Sequence, residues 1–216
     1  ASRNNYGSDI QTISHIKKGI PTKKLLYALN HLKFDTNIIL FIKLKMEKLD
    51  TLYPTEIYRD YLVDPSIMDN IFKGQDKRKV IFYDYNDTNN YTNFIKDVSS
   101  EFLTMNGYSH NKDKWYMDVI RYKLENEKKR IKSGLAWHVE NDNYPNVITV
   151  LMYLRLDKDV IDGNLRYKDK HNVKKVLEIC SGTTVIMDGN VPHKPQDPYG
   201  SGLRDLIIIS FEKGTF

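Results

Sequence analysis

The chain contains one cysteine, Cys180, in 216 residues. An internal disulfide, a zinc ribbon and a CxxC redox pair are thereby excluded, and such usage suits a reducing compartment, so an intracellular location, cytoplasmic or nuclear, is expected. No apolar run approaches the roughly 18 residues of a membrane span. The best stretch, Asn37 to Met46, is interrupted by Lys43 and Lys45, and no membrane partner is expected. The opening residues, ASRNNYGSDI, lack the apolar core of a secretory signal. Gly182, Gly189, Gly200 and Gly202 form neither GxGxxG nor GxxxxGK, which removes phosphate-loop chemistry. There is no HExxH for a zinc protease, and no PCxxC to accompany an HxE as in zinc deaminases. Repeats and proline-rich linkers are missing as well, which points to residues 1–216 as a single domain. The excess of basic over acidic residues, 33 against 28, gives a net charge of +5. That is mild beside the concentrated charge of a dedicated nucleic-acid binder.

Apolar residues make up 40% of the chain and aromatics 12%, with 15 Tyr, enough for a sizeable core. The pattern changes near Gly107. Before it, residues from about Thr22 to Leu49 show helical spacing (Leu25, Leu26, Leu29, Leu32, then Ile38, Ile39, Ile42, Met46), broken into two helices around Phe34-Asp35-Thr36-Asn37. Tyr53 to Lys79 is polar and irregular, a candidate lid. Tyr91, Phe94, Ile95, Val98, Phe102 and Met105 form a third helical stripe that stops at Asn106-Gly107. After it come short β-branched or aromatic runs: Trp115 to Tyr122, Val147 to Arg155, Val176 to Cys180, Thr183 to Met187 and Leu203 to Phe211. The expected class is α+β: residues 1–106 are mainly helical support, and residues 107–216 form a jelly roll, or double-stranded β-helix, buttressed by the N-terminal helices.

Chemistry concentrates in Gly134-Leu-Ala-Trp-His138-Val-Glu140. On a strand, His138 and Glu140 project from one face while Val139 and Trp137 turn to the other, where Trp137 serves packing. His193, 55 residues further on, supplies a third ligand. Two histidines and one carboxylate on one face of a metal, with open positions opposite, is the facial triad of non-haem Fe(II) oxygenases. Arg204, at the head of the apolar run Leu203 to Phe211, is placed to pair bidentately with the far carboxylate of a dicarboxylic co-substrate, 2-oxoglutarate. His15, His31, His110 and His171 have no partner at ligand spacing and receive no site role.

On these residues the chain resembles the Fe(II)/2-oxoglutarate-dependent oxygenases over roughly residues 115 to 212, and within them the prolyl-hydroxylase-like branch. His138, Glu140, His193 and Arg204 fall on its His-x-Asp/Glu, distal His and following Arg or Lys. Tyr122, Tyr153 and the turn Asp162-Gly163-Asn-Leu165 match its two pocket tyrosines and its Gly-Gly-x-Leu-like turn. Three positions depart from that pattern: Glu140 stands where the branch usually has Asp, Gly163 stands alone, and Asp205-Leu206 follows Arg204. The resemblance implies metal ligands His138, Glu140 and His193. It implies co-substrate binding by Arg204, Tyr122 and Tyr153. Fe(II), 2-oxoglutarate and O2 would be used, with ascorbate as a supporting reductant, and a C–H bond hydroxylated with release of succinate and CO2. The expected substrate is a peptide or protein, at a side chain such as proline. Two alternatives stand beside it: oxidation of a nucleic-acid base by the same chemistry, and a jelly-roll binding module without turnover. Lys123 to Lys132, between the Tyr122 and His138 segments, reads as a solvated connection or a basic loop that guides substrate.

Overall fold

The computed structural model describes residues 47–52, 55–59, 62–73, 79–87, 89–128, 136–142, 144 and 146–214. The helices expected before Met46 lie outside these residues. Two strands open the described chain, β1 (Glu47–Leu52) and β2 (Thr55–Arg59), followed by a short helix α1 (Ser66–Ile71) and β3 (Lys79–Asp84). These elements correct the reading of the first half. The helical run does not extend to Leu49, and part of the candidate lid is instead a sheet member, because β2 pairs antiparallel with a strand from the far end of the chain. Such pairing is decided by distant partners, which local periodicity cannot report.

Helix α2 (Asn90–Met105) follows the expected stripe. The Asn89 side chain accepts from the amides of Tyr91 and Thr92 at 2.9 and 3.0 Å, while the Thr92 hydroxyl accepts from the Asn89 amide at 3.0 Å, a reciprocal capping box. At the other end Gly107 adopts φ +83°, and the amides of Gly107 and Tyr108 donate to the carbonyls of Thr104 and Leu103. This is a Schellman closure, which the Asn-Gly pair allows because glycine pays no steric penalty at positive φ. The buried face carries Ile95, Ser99, Phe102 and Leu103.

Behind α2 lies the major antiparallel sheet. It contains β4 (His110–Glu127), β5 (Val147–Leu156), β9 (Thr183–Asp188) and β11 (Tyr199–Lys213), in the order β1-β2-β9-β5-β11-β4-β3, with β6 (Val160–Ile161) attached to β11. A minor sheet, in the order β10-β7-β8, comprises β7 (Leu165–Lys168), β8 (Lys174–Leu177) and β10 (His193–Pro195). Strand alternation gives the major sheet two faces. Trp115, Met117, Val119, Ile207, Ile209 and Phe211 pack in one cluster with α2, whereas Leu151, Tyr153, Val185, Met187 and Leu206 join Leu165 and Tyr167 of the minor sheet in a second. Two antiparallel sheets closing over the second cluster make a jelly-roll-like core. The strand β4 runs past its expected end, so Lys123 to Glu127 are strand rather than connecting loop.

On the α2 side a charge network joins α1 to the sheet. Arg121 Nε and Nη2 donate to the two oxygens of fully buried Asp205 at 2.8 Å, and Arg121 and Arg155 also reach Asp69 of α1 at 2.7 and 2.9 Å. A register slip between Asp205 and Leu206 leaves Leu154 without an opposite residue, a bulge that accompanies the turn of Arg155 toward Asp205. Removing one partner leaves buried charge unpaired, so Asp205→Ala should lower the stability measured by urea unfolding by about 3–5 kcal/mol. Asp205 thus faces away from the jelly-roll interior, although its neighbour Arg204 faces into it.

Candidate metal and co-substrate site

His138 and Glu140 do not lie on one strand. His138 forms an isolated bridge to His193, its amide donating to the His193 carbonyl at 3.1 Å and its carbonyl accepting from the His193 amide at 2.9 Å, and Glu140 begins a 3-10 turn, Glu140–Asp142. His138 and Glu140 thus converge without sharing a strand face, contrary to the expectation from strand parity. The histidines are brought together by backbone pairing at the edge of the minor sheet, and Glu140 is carried in by the tight turn that follows. Asn141 secures that turn: its amide donates to the Gly189 carbonyl at 3.1 Å and its side-chain oxygen accepts from the Val147 amide at 2.9 Å.

The outcome is a convergent donor set. Ligand atoms of His138, Glu140 and His193 lie within 4.8 Å of one another. Glu140 Oε1 is 3.2 Å from His193 Nε2 and 3.9 Å from His138 Nε2. For bonds of about 2.1 Å the edge of an octahedral face is about 3 Å, so small side-chain rotations would suffice to close these atoms on one cation. Each Nδ1 is 3.0 Å from a carbonyl, Ala136 O for His138 and Val191 O for His193. A carbonyl only accepts, so Nδ1 carries the proton in each neutral ring and the Nε2 lone pair is left for a metal. Burial works against the Glu140 charge, but in the metal-free site the hydrogen bond and charge of His193 as an imidazolium, then the charge of His138, hold its carboxyl below the usual range, and a metal would take the place of the two Nε2 protons. The donors are thus two imidazoles and an ionised carboxylate.

Arg204 is the largest fully buried side chain, 2% exposed. Its Nη2 donates to the Gly163 carbonyl at 3.0 Å, and its guanidinium lies over the rings of Tyr122 and Tyr153, 5.2 and 5.4 Å from their centroids. No carboxylate pairs with it among the described residues. Arg204 Nε and the Tyr153 hydroxyl are buried without a hydrogen-bond partner. Burial pushes the Tyr153 phenol up to about 12 against the opposing pull of Arg204, so it stays protonated and able to donate. Orphaned donors beside an unpaired buried cation fit the distal carboxylate of 2-oxoglutarate, for which charge and two-pronged donation are required. Gly163, at φ +86°, is part of this cradle because a Cβ there would stand 2.8 Å from Arg204 Nε. Gly163→Ala should therefore displace the guanidinium and raise the 2-oxoglutarate concentration needed for half-maximal thermal stabilisation by about tenfold.

Trp137 lies within 5.7 and 5.9 Å of Lys168 and Lys174 Nζ, packed under surface lysines as expected of a structural residue. His110 is engaged away from the site, 2.7 Å from the Ser100 hydroxyl and edge-on to Phe211. Sequence reading missed Asp118, Tyr116 and Tyr144. Asp118 shares its face of β4 with Ile120 and Tyr122 and therefore turns toward the interior, and burial, then the Glu140 charge, push its carboxyl up to about 6. Tyr116, on the same face, stacks on Tyr144 with centroids 4.0 Å apart. An acidic residue at an apolar parity position of β4 was the available signal.

No family model and no curated protein matches this sequence. Its fold does match solved structures: it is jelly-roll-like and resembles the prolyl-hydroxylase type of 2OG-Fe(II) oxygenase. A prolyl 4-hydroxylase structure from Phytophthora capsici is 12% identical, with a TM-score of 0.50 over 74% of this chain and 59% of that one. A prolyl-4-hydroxylase from Pseudomonas putida is also 12% identical, at TM-score 0.47 over 74% of this chain and 93% of that one. An oxidoreductase of the 2OG-Fe(II) oxygenase family from Burkholderia pseudomallei is 11% identical, at TM-score 0.45 over 91% and 92%. At such identities the shared property is the fold.

Proposed function

We propose that the protein is an Fe(II)- and 2-oxoglutarate-dependent dioxygenase that hydroxylates a C–H bond of a peptidyl side chain such as proline. The carrying observation is the convergence of His138, Glu140 and His193, with each Nδ1 turned to a backbone carbonyl so that both Nε2 atoms face the carboxylate. Arg204 and Tyr153 supply the complementary half, an unpaired cation and an unsatisfied donor inside the same barrel. When bound, the iron and 2-oxoglutarate would supply the oxidising power for C–H hydroxylation, leaving succinate and CO2. The chain itself would do three things. His138, Glu140 and His193 hold the metal on one face. Arg204 and Tyr153 fix the orientation of the co-substrate. The apolar walls, Leu151, Val185, Met187 and Leu206, exclude water.

The test is Fe(II)-dependent conversion of 2-oxoglutarate to succinate by the full chain, with His193→Ala as control. Succinate formation that needs Fe(II) and is lost in the variant supports the assignment. A wild type that neither retains Fe(II) nor makes succinate removes it.

A further inference from the structure

The inward face of β4 carries an acid that the metal and co-substrate leave unused. Asp118 is half-buried on β4 and, among the described residues, accepts no hydrogen bond and faces no cation at ion-pair distance. Its cross-strand neighbours are Phe82 of β3, 48% exposed, and Ile208 of β11. Directly opposed residues share a face, so an exposed aromatic stands beside the carboxylate. Two positions along β4 the stacked pair Tyr116 and Tyr144 closes the other flank, with Tyr85 edge-on to Tyr116 at 6.1 Å. Tyr144 follows the Glu140 turn, its amide donating to the Glu140 carbonyl at 2.9 Å, which ties this wall to the metal ligands.

Position along the strand then gives direction. Arg204 is opposite Tyr122, whereas Asp118 lies four residues back on the same face. At about 3.4 Å per residue that is about 14 Å, too far for Asp118 to serve the carboxylate held by Arg204. Asp118 therefore belongs to the end where a substrate enters.

A half-buried carboxylate without a partner costs free energy, and a ligand that supplies a cation removes that cost. Flanking aromatics favour the same ligand, since their faces attract cations and their bulk keeps water from screening the pair. Phosphate is repelled by the Asp118 carboxylate, which counts against a nucleic-acid strand here even though the chain as a whole is basic. We infer that Asp118, framed by Phe82, Tyr116 and Tyr144, is a specificity-determining residue that seats the ammonium or guanidinium of a lysyl or arginyl side chain. The substrate is thereby a peptide carrying a basic residue at or beside the hydroxylated position. This rests on the oxygenase reading for what happens next, but the docking itself is separable.

The experiment uses hexapeptides in which a residue flanking a central proline is lysine, norleucine or glutamate, lysine and norleucine differing essentially in the ammonium. Binding is followed by calorimetry with the full-length, Mn(II)-loaded protein, and turnover by succinate with Fe(II). The expected result is a lysine peptide bound at least about tenfold more tightly than its norleucine counterpart, a single charge-assisted contact. That ratio should fall to about two or less in Asp118→Asn, and glutamate should replace lysine as the preferred residue in Asp118→Lys. Asp113→Asn, an exposed acid on the same strand, is the control and should keep the wild-type ratio. Equal binding of the lysine and norleucine peptides by the wild type, or a ratio that survives in Asp118→Asn, overturns the inference. Succinate without charge discrimination removes the docking site and leaves the oxygenase. Discrimination without Fe(II)-dependent succinate upholds the docking site and removes the oxygenase.

Discussion

His193→Ala should lose metal binding by more than about 100-fold and, with it, all Fe(II)-dependent succinate formation. The bound comes from comparison: removing an outer partner of a ligand typically costs 10- to 100-fold in affinity, and here a first donor is removed from a set of three. His193 is 3% exposed, and its Nε2 is the nearer imidazole to Glu140 Oε1, at 3.2 Å, so the loss is compounded by release of the carboxylate. Glu140→Asp tests the departure from the usual carboxylate. On the 3-10 turn Glu140 already reaches the histidines with its extra methylene, and Asp would withdraw the oxygens by about 1.5 Å. Weaker Fe(II) retention in Glu140→Asp, read by equilibrium dialysis, is therefore expected. Equal or tighter retention would show that the turn, rather than the side-chain length, adapts. Metal removal by a chelator should reproduce the His193→Ala phenotype in the wild type and be reversed by added Fe(II).

Arg204→Met should raise the KM for 2-oxoglutarate by at least about 30-fold, the equivalent of the roughly 2 kcal/mol minimum for truncating a buried charge pair. Folding stability should move the other way. In the free protein Arg204 is a buried cation with one hydrogen bond among the described residues, to the Gly163 carbonyl, and an apolar residue of similar volume removes its desolvation cost. The expected signature is an unchanged or raised melting temperature that no longer responds to 2-oxoglutarate. A large fall in stability, or a KM unchanged from wild type, would mean that Arg204 serves the barrel and not a ligand. Tyr153→Phe should give the same direction with a smaller effect, because it removes one unsatisfied donor and leaves the charge.

The local signals that held were those whose physics is local. The stripe from Tyr91 to Met105 and the Asn106-Gly107 stop reappear as α2 with its Schellman closure, since side-chain spacing and glycine's tolerance of positive φ need no distant partner. Four of the five strand runs after Gly107 likewise stand where β-branched and aromatic alternation placed them, with bounds shifted by sheet pairing, whereas the run from Val176 to Cys180 meets β8 only at Val176 and Leu177. The extension of β4 through Glu127 could not be read from Lys123-Leu-Glu-Asn-Glu, a polar stretch that becomes strand because β11 lies alongside it. For the same reason β1 and β2 were invisible: β1 pairs with β2, and β2 is held in the sheet by β9, more than 120 residues away. Asp118 escaped because its neighbours come from two distant segments, Phe82 from β3 and Glu140 with Tyr144 from the turn after His138.

Residue identity and order by themselves determined the chemical inventory of this protein: two imidazoles and a carboxylate suited to a facial triad, a cation ahead of an apolar strand, too few cysteines for rival metal chemistries and no glycine pattern for a phosphate loop. Tertiary structure alone decided how the inventory is assembled. His138 meets His193 through a backbone bridge, Glu140 arrives on a turn and not on a strand, Asp205 faces the helix while Arg204 faces the barrel, and Asp118 is exposed to the Glu140 charge. The reason is the range of the forces. Donor chemistry and turn preferences act within a few residues, whereas burial and electrostatics depend on what the rest of the chain brings within a few ångströms.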